Sequence, residues 1–222
     1  MKQIFDGEVY EILPLNNGII FSYCKDIIDQ KVVVAFKMLS FETGRFTDIA
    51  KNIYLLTKFG NNYKAVVENC ENYITVKSII LPNSKVFLLS QSGEVQLIDT
   101  DGTPIWKGSL NYRGFTPSDI VPYNNSLWAC YGEINSIVRY NLSTMREELR
   151  IGGNKSPFCG PKSLFIEGNC VTVSNFGSKK LTEVNLDSYI TLDREEFEEP
   201  VKQYVKADKY RFVLLQSGVY ML

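Results

Sequence analysis

Short apolar runs separated by small polar turns fill the chain from one end to the other. The turns are rich in Asn, Asp, Gly and Ser and recur about every 8–12 residues. No segment keeps the helical period of 3.6 for about ten residues. The best helical candidate, residues 192–197, is short and acidic and is soon followed by Pro200. The pattern therefore predicts an all-β protein, built as a sandwich, a barrel or a propeller.

One unit of this pattern recurs five times in register. Each copy has an apolar first strand, a polar turn and a second apolar strand, and the clearest copies continue into a third strand and a more polar fourth. The copies start at residues 9, 76, 117, 161 and 201, at intervals of 67, 41, 44 and 40 residues. Four antiparallel strands in about 40–45 residues is the period of a propeller blade. The repeat therefore favours a β-propeller over a meander or double sandwich with accidental similarity.

The first interval is too long for one blade and too short for two. It contains two candidate pairs of third and fourth strands, residues 32–39 with 46–49 and residues 53–57 with 63–67. Only one clear first strand precedes them. We therefore predict five blades, one of them carrying an extra hairpin. The alternative is six blades, one of them eroded.

The last copy is incomplete. After Val201 only three strands fit before the chain ends at Leu222, and the missing fourth can come from residues 2–6. We expect these residues to pair with residues 218–222 and close the ring, because an unpaired strand edge invites aggregation. The prediction is a single propeller domain over residues 1–222.

Two stretches carry a resemblance to known propeller repeats. Residues 159–175 run from Gly-Pro through an apolar strand, Gly-Asn and a second apolar strand to Asn175, which resembles the blades of NHL-type and sugar-lactonase-type propellers. Residues 93–106 are similar to quinoprotein-type repeats. The resemblance extends over residues 76–222 at the level of the repeat. It implies the fold and little about function, because propellers host many activities.

Charge and hydropathy exclude several classes of partner. The chain has 222 residues and a formal net charge of −1, so it has no general field that would attract nucleic acid or an anionic membrane. No apolar run approaches the roughly 20 residues of a membrane helix. The first residues turn acidic after Lys2 and lack an apolar core, unlike a signal peptide. These features predict a cytoplasmic protein that binds neither nucleic acid nor membrane.

The chain contains no histidine. This composition excludes Ser-His-Asp and Cys-His catalysis and imidazole ligation of a metal. The five cysteines are widely spaced and without a C-x-x-C pair, which predicts reduced thiols and no zinc site. They are Cys24, Cys70, Cys130, Cys159 and Cys170. We expect no cofactor.

The first strand of a propeller blade lines the central channel, so polar positions on these strands are candidate binding residues. The third position of the five first strands holds Glu11, Ser78, Asp119, Ser163 and Gln203. The second position holds Tyr10, Lys77, Ser118, Lys162 and Lys202. Such a ring could orient a small anion, a peptide or a hard metal ion. Alternatively, it could solvate the channel wall and hydrogen-bond the blades to one another.

We select eight of these residues as the candidate binding site at the channel mouth: Glu11, Lys77, Ser78, Asp119, Lys162, Ser163, Lys202 and Gln203. The lactonase resemblance implies an alternative, a metal-assisted hydrolase with a divalent ion held by Glu11, Asp119 and Asn175. Hard cations prefer such oxygen ligands. Only Asn175 lies in a stretch that matches the family pattern, and no catalytic residues are assigned.

Aromatic residues crowd residues 112–158, and two loops there, residues 112–115 and 154–158, lie between blades. Tyr, Phe and Arg in loops are typical interface anchors, although they could equally be ordinary loop packing. Together the patterns predict a non-enzymatic binding or interaction module. Its protein partner or small-molecule ligand would meet the face of the propeller that holds the channel mouth.

Overall fold

The computed structural model describes residues 1–69, 75–81 and 84–222 of the chain. Twenty strands form five four-stranded antiparallel sheets arranged in a ring, so the protein is a five-bladed β-propeller. The prediction of five blades is confirmed, and the six-bladed alternative is wrong. The sheets begin close to the five repeat starts that the sequence indicates, because each apolar first strand becomes the inner strand of a blade.

The first three blades take consecutive strands. Blade 1 consists of β2 (Val9–Leu15), β3 (Gly18–Ile28), β4 (Lys31–Ser40) and β5 (Phe46–Asp48). Blade 2 consists of β6 (Thr75–Ile80), β7 (Val86–Ser90), β8 (Glu94–Ile98) and β9 (Pro104–Ser109). Blade 3 consists of β10 (Asp119–Tyr123), β11 (Ser126–Tyr131), β12 (Ser136–Asn141) and β13 (Glu147–Gly152).

The last two blades bring the chain back to its beginning. Blade 4 consists of β14 (Pro161–Glu167), β15 (Cys170–Asn175), β16 (Lys180–Asn185) and β17 (Thr191–Glu196). Blade 5 consists of β18 (Gln203–Ala207), β19 (Tyr210–Leu214), β20 (Gly218–Met221) and β1 (Lys2–Asp6). Residues 192–197, the best helical candidate, lie mostly in the outer strand β17.

The N-terminal strand closes the ring as predicted. Strand β1 pairs antiparallel with β20, and Lys2 lies opposite Met221 and Asp6 opposite Gly218. The Phe5 ring packs 4.7 Å from the ring of Phe21 on β3, measured between centroids. Strand β1 therefore covers the edge of β20 and also joins the core between blades 5 and 1.

Residues 53–57 and 63–67, one of the two candidate pairs of third and fourth strands, are helical, so the prediction of strands there is wrong. Helix α1 (Lys51–Phe59) is followed by a 3-10 turn (Gly60–Asn62) and helix α2 (Tyr63–Asn69). We call these three elements the helical insertion. Leu55, Phe59, Tyr63 and Val66 recur in the sequence at spacings of four, four and three residues, and in the structure all four belong to one apolar cluster. Gly60 ends α1 with a positive φ of 67°, which favours glycine at a helix C-terminus.

The helical insertion occupies the interface between blades 1 and 2. Side chains alternate between the two faces of a strand. One face of blade 2, including Phe87 and Leu89, packs against blade 3. The opposite face packs against Phe59 and Val66 of the insertion, and its members are Val86, Leu88 and Ile98. Elsewhere in the ring, neighbouring blades share apolar clusters directly. The insertion therefore accounts for the long first interval.

Candidate functional site

The inner strands begin around a cavity of about 540 Å³ at one mouth of the channel. The cavity is also lined by residues of α1, by Ser22 of β3, which lies opposite Glu11, and by Phe176, just after β15. The described residues that line it are Tyr10, Glu11, Ser22, Tyr54, Lys58, Lys77, Ser118, Asp119, Lys162, Ser163, Phe176, Lys202 and Gln203. We call this cavity the channel mouth.

The structure brings seven of the eight selected residues to the channel mouth. They are Glu11, Lys77, Asp119, Lys162, Ser163, Lys202 and Gln203. Ser78 is not part of its lining, because its hydroxyl donates to the backbone carbonyl of Lys58 at 3.0 Å. That bond anchors the end of α1 to the inner strand of blade 2, so Ser78 has a structural partner.

Two of the polar third-position residues tie neighbouring blades together. Asp119 accepts a hydrogen bond at 2.9 Å from the backbone N–H of Leu164, on the inner strand of blade 4. Gln203 bonds the backbone of Ile12 twice, accepting from its N–H at 2.8 Å and donating to its carbonyl at 2.9 Å. Ser163 donates at 3.0 Å to Ser174 within its own blade. The interpretation that these positions hydrogen-bond the blades therefore applies to Asp119 and Gln203.

Glu11 is held by two residues of α1 that the sequence analysis missed. The Tyr54 hydroxyl donates to Glu11 Oε2 at 2.7 Å, and Lys58 Nζ lies 2.6 Å from the same oxygen. Burial alone would raise the pKa of Glu11, but the charges of Lys58 and Lys77 and the two hydrogen bonds hold it below its ordinary value. Burial and the Glu11 charge raise the pKa of Tyr54, so its hydroxyl remains a donor.

A second ion pair lies beside the first. Lys77 Nζ is 3.0 Å from Asp119 Oδ1, and the Asp119 side chain is 5% exposed. Burial would lower the pKa of Lys77, but the charges of Asp119 and Glu11 raise it above its ordinary value. The charges of Lys58, Glu11, Lys77 and Asp119 thus alternate in sign around blades 1 to 3. We call these four residues the paired sector.

Lys162 and Lys202 differ from the lysines of the paired sector. They line the channel mouth on the neighbouring blades 4 and 5. Within residues 1–69, 75–81 and 84–222, no carboxylate lies within ion-pair distance of either ammonium group. Two aromatic side chains lie at the same mouth, Tyr10 at 42% exposed and Phe176 at 41%. We call Lys162 and Lys202 the open sector.

The thiol of Cys130, near the channel mouth, is not activated as a nucleophile. Cys130 is buried, and burial together with the nearby Asp119 charge raises the pKa of its thiol to about 12. Its sulfur lies 3.2 Å from the Ser118 hydroxyl. The four cysteines that the structure describes are free thiols. Cys70 lies outside the described residues. A thiol with a raised pKa is a poor nucleophile at neutral pH, so Cys130 acts as a small core residue.

The residues implied as ligands of a divalent ion do not fit that role. Glu11 and Asp119 each have a lysine partner, as described above. Asn175 is buried within blade 4, where its amide nitrogen contacts Thr182 Oγ1 at 3.0 Å and its oxygen accepts from the Cys159 N–H at 3.2 Å. Asn175 does not line the channel mouth. Among the described residues, no three acidic or cysteine side chains are grouped so as to hold a metal ion.

The aromatic residues of residues 112–158 serve mainly as core. Trp128, Tyr131 and Phe158 are buried, each at most 3% exposed. Tyr112 is covered by the Arg150 guanidinium, which lies 3.7 Å from its ring centroid. Phe115 is 38% exposed. The loops between blades therefore offer one well-exposed large aromatic side chain among these five residues, which weakens the expectation of an aromatic interface there.

No protein-family model matches this sequence, and no curated protein matches it. Among solved structures, the computationally designed Ika4 protein aligns with a TM-score of 0.52 at 12% identity, covering 68% of this chain and 91% of Ika4. The computationally designed Ika8 protein aligns with a TM-score of 0.49 at 10% identity, covering 93% of this chain and 55% of Ika8. At this identity the likeness to Ika4 concerns the fold alone.

In the described part of the chain, neither short helix has the length or apolar character needed to cross a bilayer.

Proposed function

We propose that this protein is a non-enzymatic binding module whose ligand enters the channel mouth. The observation that carries the proposal is the cavity of about 540 Å³ on which all five inner strands and α1 converge. Cavities of this size are typical ligand sites, and convergent polar groups fix the orientation of a ligand in them. The ligand is a small molecule or a segment of a protein partner that can reach into the cavity.

The rigidity of the channel mouth supports this function. Most of its wall lies on or directly beside the inner strands and on α1, and Asp119 and Gln203 fasten the inner strands of neighbouring blades. A site whose side chains are already held in place loses little conformational freedom when a ligand binds. The channel mouth is therefore preorganised for recognition.

The state of the polar groups favours binding over catalysis. Both carboxylates of the paired sector are ion-paired, and the pKa of Glu11 is lowered, which makes that carboxylate a weak general base. The Cys130 thiol has a raised pKa. The metal-assisted hydrolase is not favoured, because Asn175 is bonded inside blade 4.

Thermal unfolding with a panel of sugar acids, lactones, short peptides, and Ca²⁺, Mg²⁺ or Mn²⁺ against EDTA tests the proposal. A ligand at 100 times its dissociation constant adds about 2.7 kcal/mol. At about 2–4 °C per kcal/mol, this raises the midpoint by roughly 5–10 °C. A shift with a divalent ion alone would instead favour the hydrolase.

Two matched variants locate the binding. Lys202→Trp places a large ring in the channel mouth, whereas Lys209→Trp makes the same change at the far end of the same inner strand, in an exposed turn. We expect Lys202→Trp to abolish the ligand-induced shift and Lys209→Trp to retain it. A shift that survives equally in both variants would place the ligand elsewhere and contradict the proposal.

A further inference from the structure

The repeat explains why neither lysine of the open sector has an ion-pair partner in the described part of the chain. In the paired sector, Lys77 at the second position of blade 2 bonds Asp119 at the third position of blade 3. The corresponding residue for Lys162 is Gln203 of blade 5, which is neutral and bonds the backbone of Ile12. The same relationship that pairs Lys77 thus leaves Lys162 without an acid.

The acid that corresponds to Lys202 is already bound by residues of the helical insertion. The third position of the next blade around the ring is Glu11, and Lys58 and Tyr54 of α1 already engage that carboxylate. The charges that lower the pKa of Glu11 come from Lys58 and Lys77. Glu199, three residues before Lys202, accepts hydrogen bonds from the backbone N–H and hydroxyl of Ser217. The acid at the corresponding repeat position and the acid nearest in the sequence therefore both have other partners.

The channel mouth consequently carries an excess of positive charge on one side. Among the described residues, four lysines and two carboxylates line it, and the paired sector uses two of the lysines. The remaining two belong to blades 4 and 5, whose inner strands contact each other. Walls of low dielectric constant concentrate the field of this excess charge in the cavity. An anion bound there would neutralise it.

We propose that the ligand is an organic anion whose carboxylate or phosphate group binds between Lys162 and Lys202. Lysine ammonium groups bind both kinds of anion through charge-assisted hydrogen bonds. The proposal rests on the function proposed above and specifies the chemistry of its ligand.

Two aromatic side chains specify the other end of the ligand. Tyr10 belongs to blade 1 and Phe176 follows β15 of blade 4, so they flank blade 5 on its two sides. Each leaves about two fifths of its surface exposed, at 42% and 41%. Exposed aromatic surface at a cavity rim suits an apolar or ring-shaped ligand body. We therefore assign the ligand an anionic group at the open sector and an apolar body against Tyr10 or Phe176.

Calorimetric titration at constant ionic strength with benzoate, phenyl phosphate and the neutral analogue benzamide tests the assignment. We expect saturable binding of at least one of the two anions at millimolar concentrations and none of benzamide. Lys162→Met and Lys202→Met remove the charge while keeping most of the side-chain volume, and each should weaken anion binding by about tenfold, equal to about 1.4 kcal/mol. The double variant should abolish it, and Lys209→Met should leave it unchanged.

A second variant separates the two ends of the ligand. Replacing both Tyr10 and Phe176 with Ala should weaken binding of benzoate and phenyl phosphate and leave binding of inorganic phosphate, used as a bare anion, unaffected. Equal binding of benzamide, anion binding that survives in the double variant, or no saturable binding of either anion would overturn the assignment. If a neutral ligand bound to the wild type and to the double variant but not to Lys202→Trp, the assignment of an anionic ligand would be wrong and the proposed binding function would stand. Absence of any ligand dependent on the channel mouth would overturn both.

Discussion

Lys77 of the paired sector and the two lysines of the open sector occupy the same repeat position, the second of an inner strand, and do different things. In the paired sector, Lys77 and Asp119 lie 3.0 Å apart and Lys58 and Glu11 lie 2.6 Å apart. In the open sector, Lys162 and Lys202 face the cavity with no acid within ion-pair distance in the described part of the chain. The difference shows that a polar residue at a channel position can be held in an ion pair or left open to a ligand. Which of the two occurs depends on the residue that the next blade places beside it.

The helical insertion creates much of this asymmetry. It supplies Lys58 and Tyr54, which engage Glu11, and it interrupts a ring that otherwise repeats blade by blade. Glu11 is the acid in register with Lys202, and without the insertion neither Lys58 nor Tyr54 would engage it. An irregular segment between two blades can therefore free a charged residue on a third.

Removing β1 should lower the stability of the protein most and disturb the open sector with it, because β1 closes blade 5, which carries Lys202. Deletion of residues 1–7 uncovers the edge of β20 and removes Phe5 from its contact with Phe21. We expect a loss of more than about 3 kcal/mol in unfolding free energy, as for other large apolar truncations. Urea unfolding followed by tryptophan fluorescence measures it, with Lys2→Ala, an exposed change on the same strand, as control. An unchanged midpoint would mean that β1 is dispensable for closure.

Asp119→Ala should be the next most damaging change. It leaves the Lys77 ammonium without its partner and the Leu164 N–H without its acceptor. Breaking a buried pair on one side costs about 3–5 kcal/mol, and we expect a value near the lower end because Lys77 is partly exposed. The urea midpoint measures the change, and Glu42→Ala on the outer surface is the control. A cost below about 1 kcal/mol, as for a surface pair, would contradict a structural role for the paired sector.

Glu11→Gln should destabilise the protein at neutral pH by about 1–2 kcal/mol, because a charged hydrogen-bond acceptor is lost. The pKa of Glu11 is lowered in the folded protein, so its ionised form stabilises the fold above its ordinary value of 4.5. That stabilisation is lost as the pH falls through the folded pKa. Urea midpoints of the wild type and the variant should therefore converge between neutral pH and about pH 3. A difference that stays constant over this range would show that ionisation of Glu11 is irrelevant.

Lys162→Met and Lys202→Met should change stability least, within about 0.5 kcal/mol, since neither ammonium has a described ion pair to lose. Lys77→Met, at the equivalent position of blade 2, should cost about 3 kcal/mol because it strands Asp119. The same urea titrations compare the three variants. Similar costs at all three positions would remove the distinction between the sectors.

Much of the architecture could be predicted because it depends on local signals. The repeat starts, the polar turns and the short last copy sufficed for five blades closed by residues 2–6. The helical insertion was missed although Leu55, Phe59, Tyr63 and Val66 have helical spacing. Polar residues between these positions also divide residues 53–67 into two short apolar runs on either side of Gly60, a pattern that resembles two strands joined by a turn.

The polar positions at the channel mouth were predictable because a blade's inner strand and its register follow from alternating side chains. Their roles were not, since Gln203 bonds Ile12 across 191 residues and Asp119 bonds Leu164 across 45. The sequence by itself determined the repeat, the closure and the ring of polar residues. Only the tertiary structure decided which charges are neutralised and which face the cavity, because pairing depends on distances between residues of different blades and of α1.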